Sequence, residues 1–79
     1  MPYYLCTLLS DSAGERDYVV RAVDEREGLA LVKEQFPEED LADPGREVEV
    51  RRVVEEDLEG ALSEEDIEIA SRGIPIRAD

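Results

Sequence analysis

Apolar side chains occupy six of the seven positions from Tyr3 to Leu9, and none of the seven carries a charge. Both faces of an extended segment there are largely apolar, which predicts a central or well-covered strand rather than an edge. Ser10 to Arg16 is a turn cluster, in which Gly14 supplies a left-handed position. Asp17 to Val23 alternates again: Tyr18, Val20 and Ala22 share one face, while Val19 and Val23 flank Arg21 on the other. Two strands joined by a short glycine-containing loop predict an antiparallel hairpin.

The period then lengthens. Leu29, Val32 and Phe36 recur at helical spacing, with Ala30 and Leu31 beside them. Asp24 is placed to cap this helix, and Glu27 to reach back in a capping-box arrangement. Gly28 costs the helix about 1 kcal/mol relative to alanine, and close packing on a sheet accounts for it better than phosphate binding. Pro37 stops the helix by disfavouring helical geometry at Phe36. Residues 37–41 suit one further helical turn, and Asp43-Pro44-Gly45-Arg46 a tight turn.

Glu47 to Glu56 predicts a third strand. Val48 and Val50 share a face and Val53 falls on the other, so either a bulge near Arg51-Arg52 restores the phase or Val53 covers a second face. Leu58, Ala61 and Leu62 suit a short helical turn broken at Gly60. Ser63 is a second cap signal, Ile67 and Ala70 lie at helical spacing, and Gly73 is a natural stop. The alternation Ile67-Glu68-Ile69 leaves a strand open there. Ile74-Pro75-Ile76 cannot be a central strand, because proline lacks the ladder donor; it is an edge strand or a tail pinned by its isoleucines.

The expected fold class is therefore α+β: β-β-α-β, then a short helix. A small antiparallel sheet of three strands, or four if the tail joins it, has the helix packed on one face. We expect a single domain, with a β-β-α-β core over residues 1–56 and a short acidic helix and tail over 57–79. Strand order does not follow from the sequence.

Charge changes what this fold can contact. Twenty-two acidic residues oppose nine basic ones, eight of them arginine and the ninth Lys33, for a net charge of −13 over 79 residues. Residues 37–47 contribute −4 and residues 57–69 contribute −6, so these two stretches carry most of the excess. Such a surface repels a phosphate backbone and an anionic membrane, so no direct nucleic-acid or membrane binding is expected. Three explanations fit the acidity: adaptation to a salt-rich cytoplasm, mimicry of a nucleic acid, or a solubilising face. The arginine bias fits a GC-rich genome as well.

Catalytic chemistry has little to work with. Histidine is absent, which removes the usual neutral-pH base and the commonest nitrogen ligand for zinc. Cys6 stands alone within an apolar strand, where burial makes a thiol a poor nucleophile. Asp57, Glu59, Glu64, Glu65 and Asp66 offer oxygen ligands without the spacing of a calcium loop. No enzyme activity, cofactor or specific metal site is expected. Tyr3, Tyr4 and Tyr18 suit the core better than an interface. Arg51 and Arg52 are the one adjacent basic pair, and glutamates along the strand account for them.

What remains is binding. A non-catalytic, cytoplasmic, protein-binding domain is the leading expectation, with a partner that could be basic; self-association through an edge strand is open to it. The alternative is a nucleic-acid mimic that inhibits a basic DNA- or RNA-binding protein. Its phosphate substitutes would be Glu38, Glu39, Asp40, Glu64, Glu65 and Asp66.

Overall fold

The computed structural model describes residues 1–10, 14–37 and 45–78. Strands β1 (Tyr3–Ser10), β2 (Gly14–Arg21), β3 (Arg46–Val53) and β4 (Ile76–Arg77) form one antiparallel sheet in the order β3-β1-β2-β4. Helix α1 (Glu25–Gln35) follows β2, and α2 (Glu55–Glu59) and α3 (Glu64–Ser71) lie between β3 and β4. The α+β class is as expected, with the tail adding the fourth strand.

β1 is an inner strand, as its uncharged sequence predicts. Tyr3 stands opposite Arg21 on one side and Val53 on the other, and both registers run unbroken to Ser10. No bulge is needed at Arg51-Arg52; Val53 instead turns to the second face of the sheet. All three long strands differ from expectation in their boundaries: β1 and β3 take in Ser10 and Arg46, which read as turn residues, and the larger shifts are in β2 and at the end of β3. β2 begins at Gly14, whose positive φ of 75° provides the predicted left-handed residue, and it ends before an exposed Val23. β3 ends at Val53 rather than Glu56, because Val54 caps a helix whose first turn holds Glu55, Glu56 and Asp57. Carboxylates there complement the positive end of the helix.

Parity along the strands sorts the core. Tyr4, Cys6, Leu8, Tyr18, Val20 and Val50 face α1, which contributes Val32 and Leu31. Tyr3, Leu5, Val19, Val53 and Ile76 face the opposite way and meet Leu58, Leu62, Ile67 and Ala70. The sheet thus carries α1 on one face, as predicted, and α2 with α3 on the other. α2 spans the junction of residues 56 and 57, so α2 and α3 continue from β3 as the sheet's second layer before the chain returns to the sheet as β4.

Capping fixes where the helices start. Asp24 Oδ1 accepts from the Glu27 N–H at 2.8 Å, while Glu27 Oε1 accepts from the Val23 N–H at 3.2 Å, one residue before the cap. At the other end of α1, the Phe36 ring lies 4.5 Å from that of Tyr18, tying the helix to β2. Ser63 Oγ accepts from the Asp66 N–H at 3.2 Å, and Gly73 follows α3 with φ of 82°. That cap decides Ile67-Glu68-Ile69 for helix, with Ile67 and Ala70 inward. Of the two readings open for the tail, the edge strand holds for Ile76–Arg77: Ile76 opposes Val19, and Ala78 N–H donates to Asp17 O at 2.8 Å.

Candidate protein-binding face

The thirteen residues of α2 and α3 hold eight acids and no base: Glu55, Glu56, Asp57, Glu59, Glu64, Glu65, Asp66 and Glu68. Both helices must turn apolar residues toward the sheet, so most of these carboxylates are left facing solvent. Glu55 and Glu59 lie four residues apart on α2; Glu64 and Glu68 do so on α3. Each pair therefore shares one side of its helix. The two pairs line a cleft of about 450 Å³ between the helices, over a floor that includes Tyr3, Leu62 and Ile67.

The cleft is acidic with little internal compensation. Arg72 reaches Glu68 at 2.6 Å, but both side chains are well exposed, and such a pair contributes at most about 1 kcal/mol. Among the described residues, no three Asp, Glu, Cys or His side chains converge as a metal centre would require. Carboxylates spread along two helices suit an extended cation better than a compact ion.

A second cleft, of about 440 Å³, opens on the same side of the sheet between α2 and β3. Leu5, Val19, Val53 and Leu58 form its apolar wall, and Arg51 and Asp17 bring charge to it. Asp17 Oδ1 is buried and has no hydrogen-bond partner among the described residues. An unmet buried acceptor is costly, so this oxygen favours any donor that enters.

Of the acids expected to act as phosphate substitutes, the structure places Glu64, Glu65 and Asp66 together on the first turn of α3. Glu64 lines the cleft, Glu65 is exposed and Asp66 is half-buried. Glu38, Glu39 and Asp40 lie outside the described residues. Sequence reasoning missed Glu55, Glu68 and Asp17, and weighed Glu59 only as a metal ligand. The i, i+4 spacing of Glu55 and Glu59 would have revealed their shared side, had Glu55 been assigned to a helix rather than a strand. Asp17 was discoverable by its phase, since it alternates with the inward-facing Val19.

The three tyrosines are buried, with Tyr3 forming part of the acidic cleft's floor. Cys6 is fully buried, and desolvation pushes its thiol up to about 11, which leaves little thiolate at neutral pH. Among the described residues, no helix is long and apolar enough to cross a membrane. The chain matches no protein-family model, and neither the curated proteins nor the solved structures contain a significant match to it.

Proposed function

We propose that this chain is a non-catalytic protein-binding domain whose α2–α3 face receives a basic segment of a partner protein. The observation that carries this reading is the cleft between those helices: four glutamates along its sides, and Tyr3, Leu62 and Ile67 at its floor. Lysine and arginine have this dual chemistry, with an apolar stem to lie on the floor and a charged head for the carboxylates. The absence of histidine and the suppressed thiol of Cys6 favour binding over catalysis. The acid surplus and arginine bias fit a cytoplasmic protein of a salt-adapted or GC-rich organism.

The test is an amide chemical-shift titration with an arginine-rich peptide carrying one aromatic residue. Shifts are expected on α2, α3 and Tyr3. Replacing Glu55, Glu59, Glu64 and Glu68 with glutamine should weaken binding at least tenfold and keep the spectrum dispersed. Unchanged affinity in that variant would eliminate this face as the site.

A second reading, mimicry of nucleic acid, draws support from the run Glu64-Glu65-Asp66, presented on the first turn of α3, whose eight residues include no base. The two separate by salt and by competition. A mimic displaces DNA from a basic protein and loses its affinity in concentrated potassium chloride. Lysine at Glu38, Glu39, Asp40, Glu64, Glu65 and Asp66 should abolish that competition. Binding through the cleft floor retains a salt-insensitive part.

A further inference from the structure

β3 is eight residues long, and among the described residues it forms one edge of the sheet. Its face toward α1 carries Val48, Val50 and Arg52; the other carries Glu47, Glu49, Arg51 and Val53. Val48 is 38% exposed although it stands opposite the fully buried Leu8. Among the described residues, no strand pairs with the outer side of β3 around Val48 and Val50, and a long edge with an exposed valine can pair with a compatible strand.

We propose that β3 pairs antiparallel with β3 of a second copy, centred on Val50, to form a two-fold dimer with one continuous eight-stranded sheet. A two-fold axis normal to the sheet keeps each face on its own side, so each possible register is centred on a residue. The identity of the centre decides which charges meet. Centred on Val50, Glu49 faces Arg51 of the copy twice over, Val50 faces Val50, Val48 faces Arg52, and Glu47 faces Val53. No like charges stand opposite one another.

The neighbouring registers all fail this criterion. Centring on Glu47, Glu49, Arg51 or Arg52 sets that residue against its own copy. Centring on Val48 sets Glu47 against Glu49. Directly opposed like charges destabilise a strand pair, and opposed unlike charges stabilise it. Among centres from Glu47 to Arg52, the charge pattern of β3 therefore selects Val50. Any register of this family also matches the hydrogen-bonding groups, because opposed residues have the same parity.

The overall charge acts against association. Two chains of −13 repel each other at long range, and added salt screens that repulsion, so dimerisation should strengthen as salt rises. No β3 residue lines the acidic α2–α3 cleft, so this proposal stands or falls independently of the basic-partner reading.

Sedimentation equilibrium on the intact chain and three variants tests the register. Glu49→Arg sets arginine against Arg51 of the copy at both ends of the central pair. Arg51→Glu creates the corresponding glutamate clashes, and the double variant restores both pairs with reversed polarity. We expect the wild-type chain to dimerise, each single variant to lose at least tenfold in association, and the double variant to return to within a few-fold of wild type. Glu49→Arg is the sharpest arm, because it lowers net charge from −13 to −11 and general repulsion alone would make it associate more tightly. Circular dichroism checks that each variant is folded. A wild-type chain that stays monomeric in high salt overturns the proposal, as do single variants that dimerise like wild type.

Discussion

The two faces of the sheet are built to different standards. On the α1 side, Leu8, Val20, Val32 and Cys6 are fully buried beneath one eleven-residue helix capped by Asp24. On the other side, two helices of five and eight residues bury Val19 and Ala70 just as fully, but Tyr3, Leu58 and Ile67 keep 8%, 5% and 8% exposure, and clefts open among them. Charge follows the same division. α1 mixes Glu25, Glu27 and Glu34 with Arg26 and Lys33, whereas α2 and α3 carry eight acids and no base. One face is given to packing. The other accepts looser packing and self-repulsion in return for concave surface, which is where binding sites are usually found.

Truncating one side chain on each face should expose that difference. Leu8→Ala empties a site with no solvent contact and should cost about 3–4 kcal/mol, near the upper range for such changes. A domain this small has only about 4–12 kcal/mol to lose. Ile67 sits on the inner side of α3, a short helix that can settle inward, so Ile67→Ala should cost about 2 kcal/mol. Urea titrations of the two variants measure the gap. Equal losses would mean that the second face is packed as tightly as the first.

The well-packed face was also the more legible one. An uncharged strand, an alternating second strand and a capped helix each repeat one period long enough to be recognised, and Asp24 and Phe36 mark the helix ends. The second face was harder, because its helices are one or two turns long and too short to establish a period. Val53 showed this ambiguity: its phase fitted a bulge or a second layer, and only the partners Leu58 and Ile67 decide for the layer. Glu55 reads as strand in the sequence because Val50, Val53 and Val54 continue as strand formers up to it. The acidic cleft needs α2 and α3 side by side, which is a tertiary relation that spacing within either segment does not contain.

Salt should narrow the contrast between the faces. Repulsion among the eight acids of α2 and α3 weakens on screening, while α1 has nearly balanced charge and little to gain. Amide exchange measured in dilute buffer and in 1 M potassium chloride should therefore slow more in α2 and α3 than in α1. Uniform slowing would assign the effect to the chain's total charge. No slowing at all would show that the acids are already spaced widely enough to coexist, leaving them available to a partner.

Cys6 gives the α1 face a pH dependence of its own. Burial raises its pKa from 9.0 to about 11, so between those values the unfolded chain releases the thiol proton and the folded chain retains it. Fewer protons on the unfolded state means that stability falls as pH rises. The contribution is complete below pH 9 and lost by about pH 11. Wild type and Cys6→Ser, compared by thermal unfolding over that range, share every other titration. Wild type should lose stability more steeply, and parallel curves would contradict the burial of this thiol.

The smallest expected effect is a gain, at the point where α1 lies nearest the sheet. Gly28 is buried in the first turn of α1, and close approach to the strands was its expected justification. A Cβ built there would lie 3.5 Å from Tyr4 Cβ, 3.7 Å from Tyr4 Cδ2 and 3.7 Å from Val20 Cγ1. Those are ordinary van der Waals separations, so the approach is close without excluding a methyl group. Gly28 also shows no positive φ that would require glycine. Alanine should then recover part of the helix propensity that glycine forgoes, about 0.5–1 kcal/mol, and bury one more methyl against Tyr4. A higher urea midpoint for Gly28→Ala, with an unchanged denaturant slope, is the expected result. A lower midpoint would mean that Tyr4 and Val20 cannot yield even a few tenths of an ångström, which would make the α1 face tighter still than its buried residues imply.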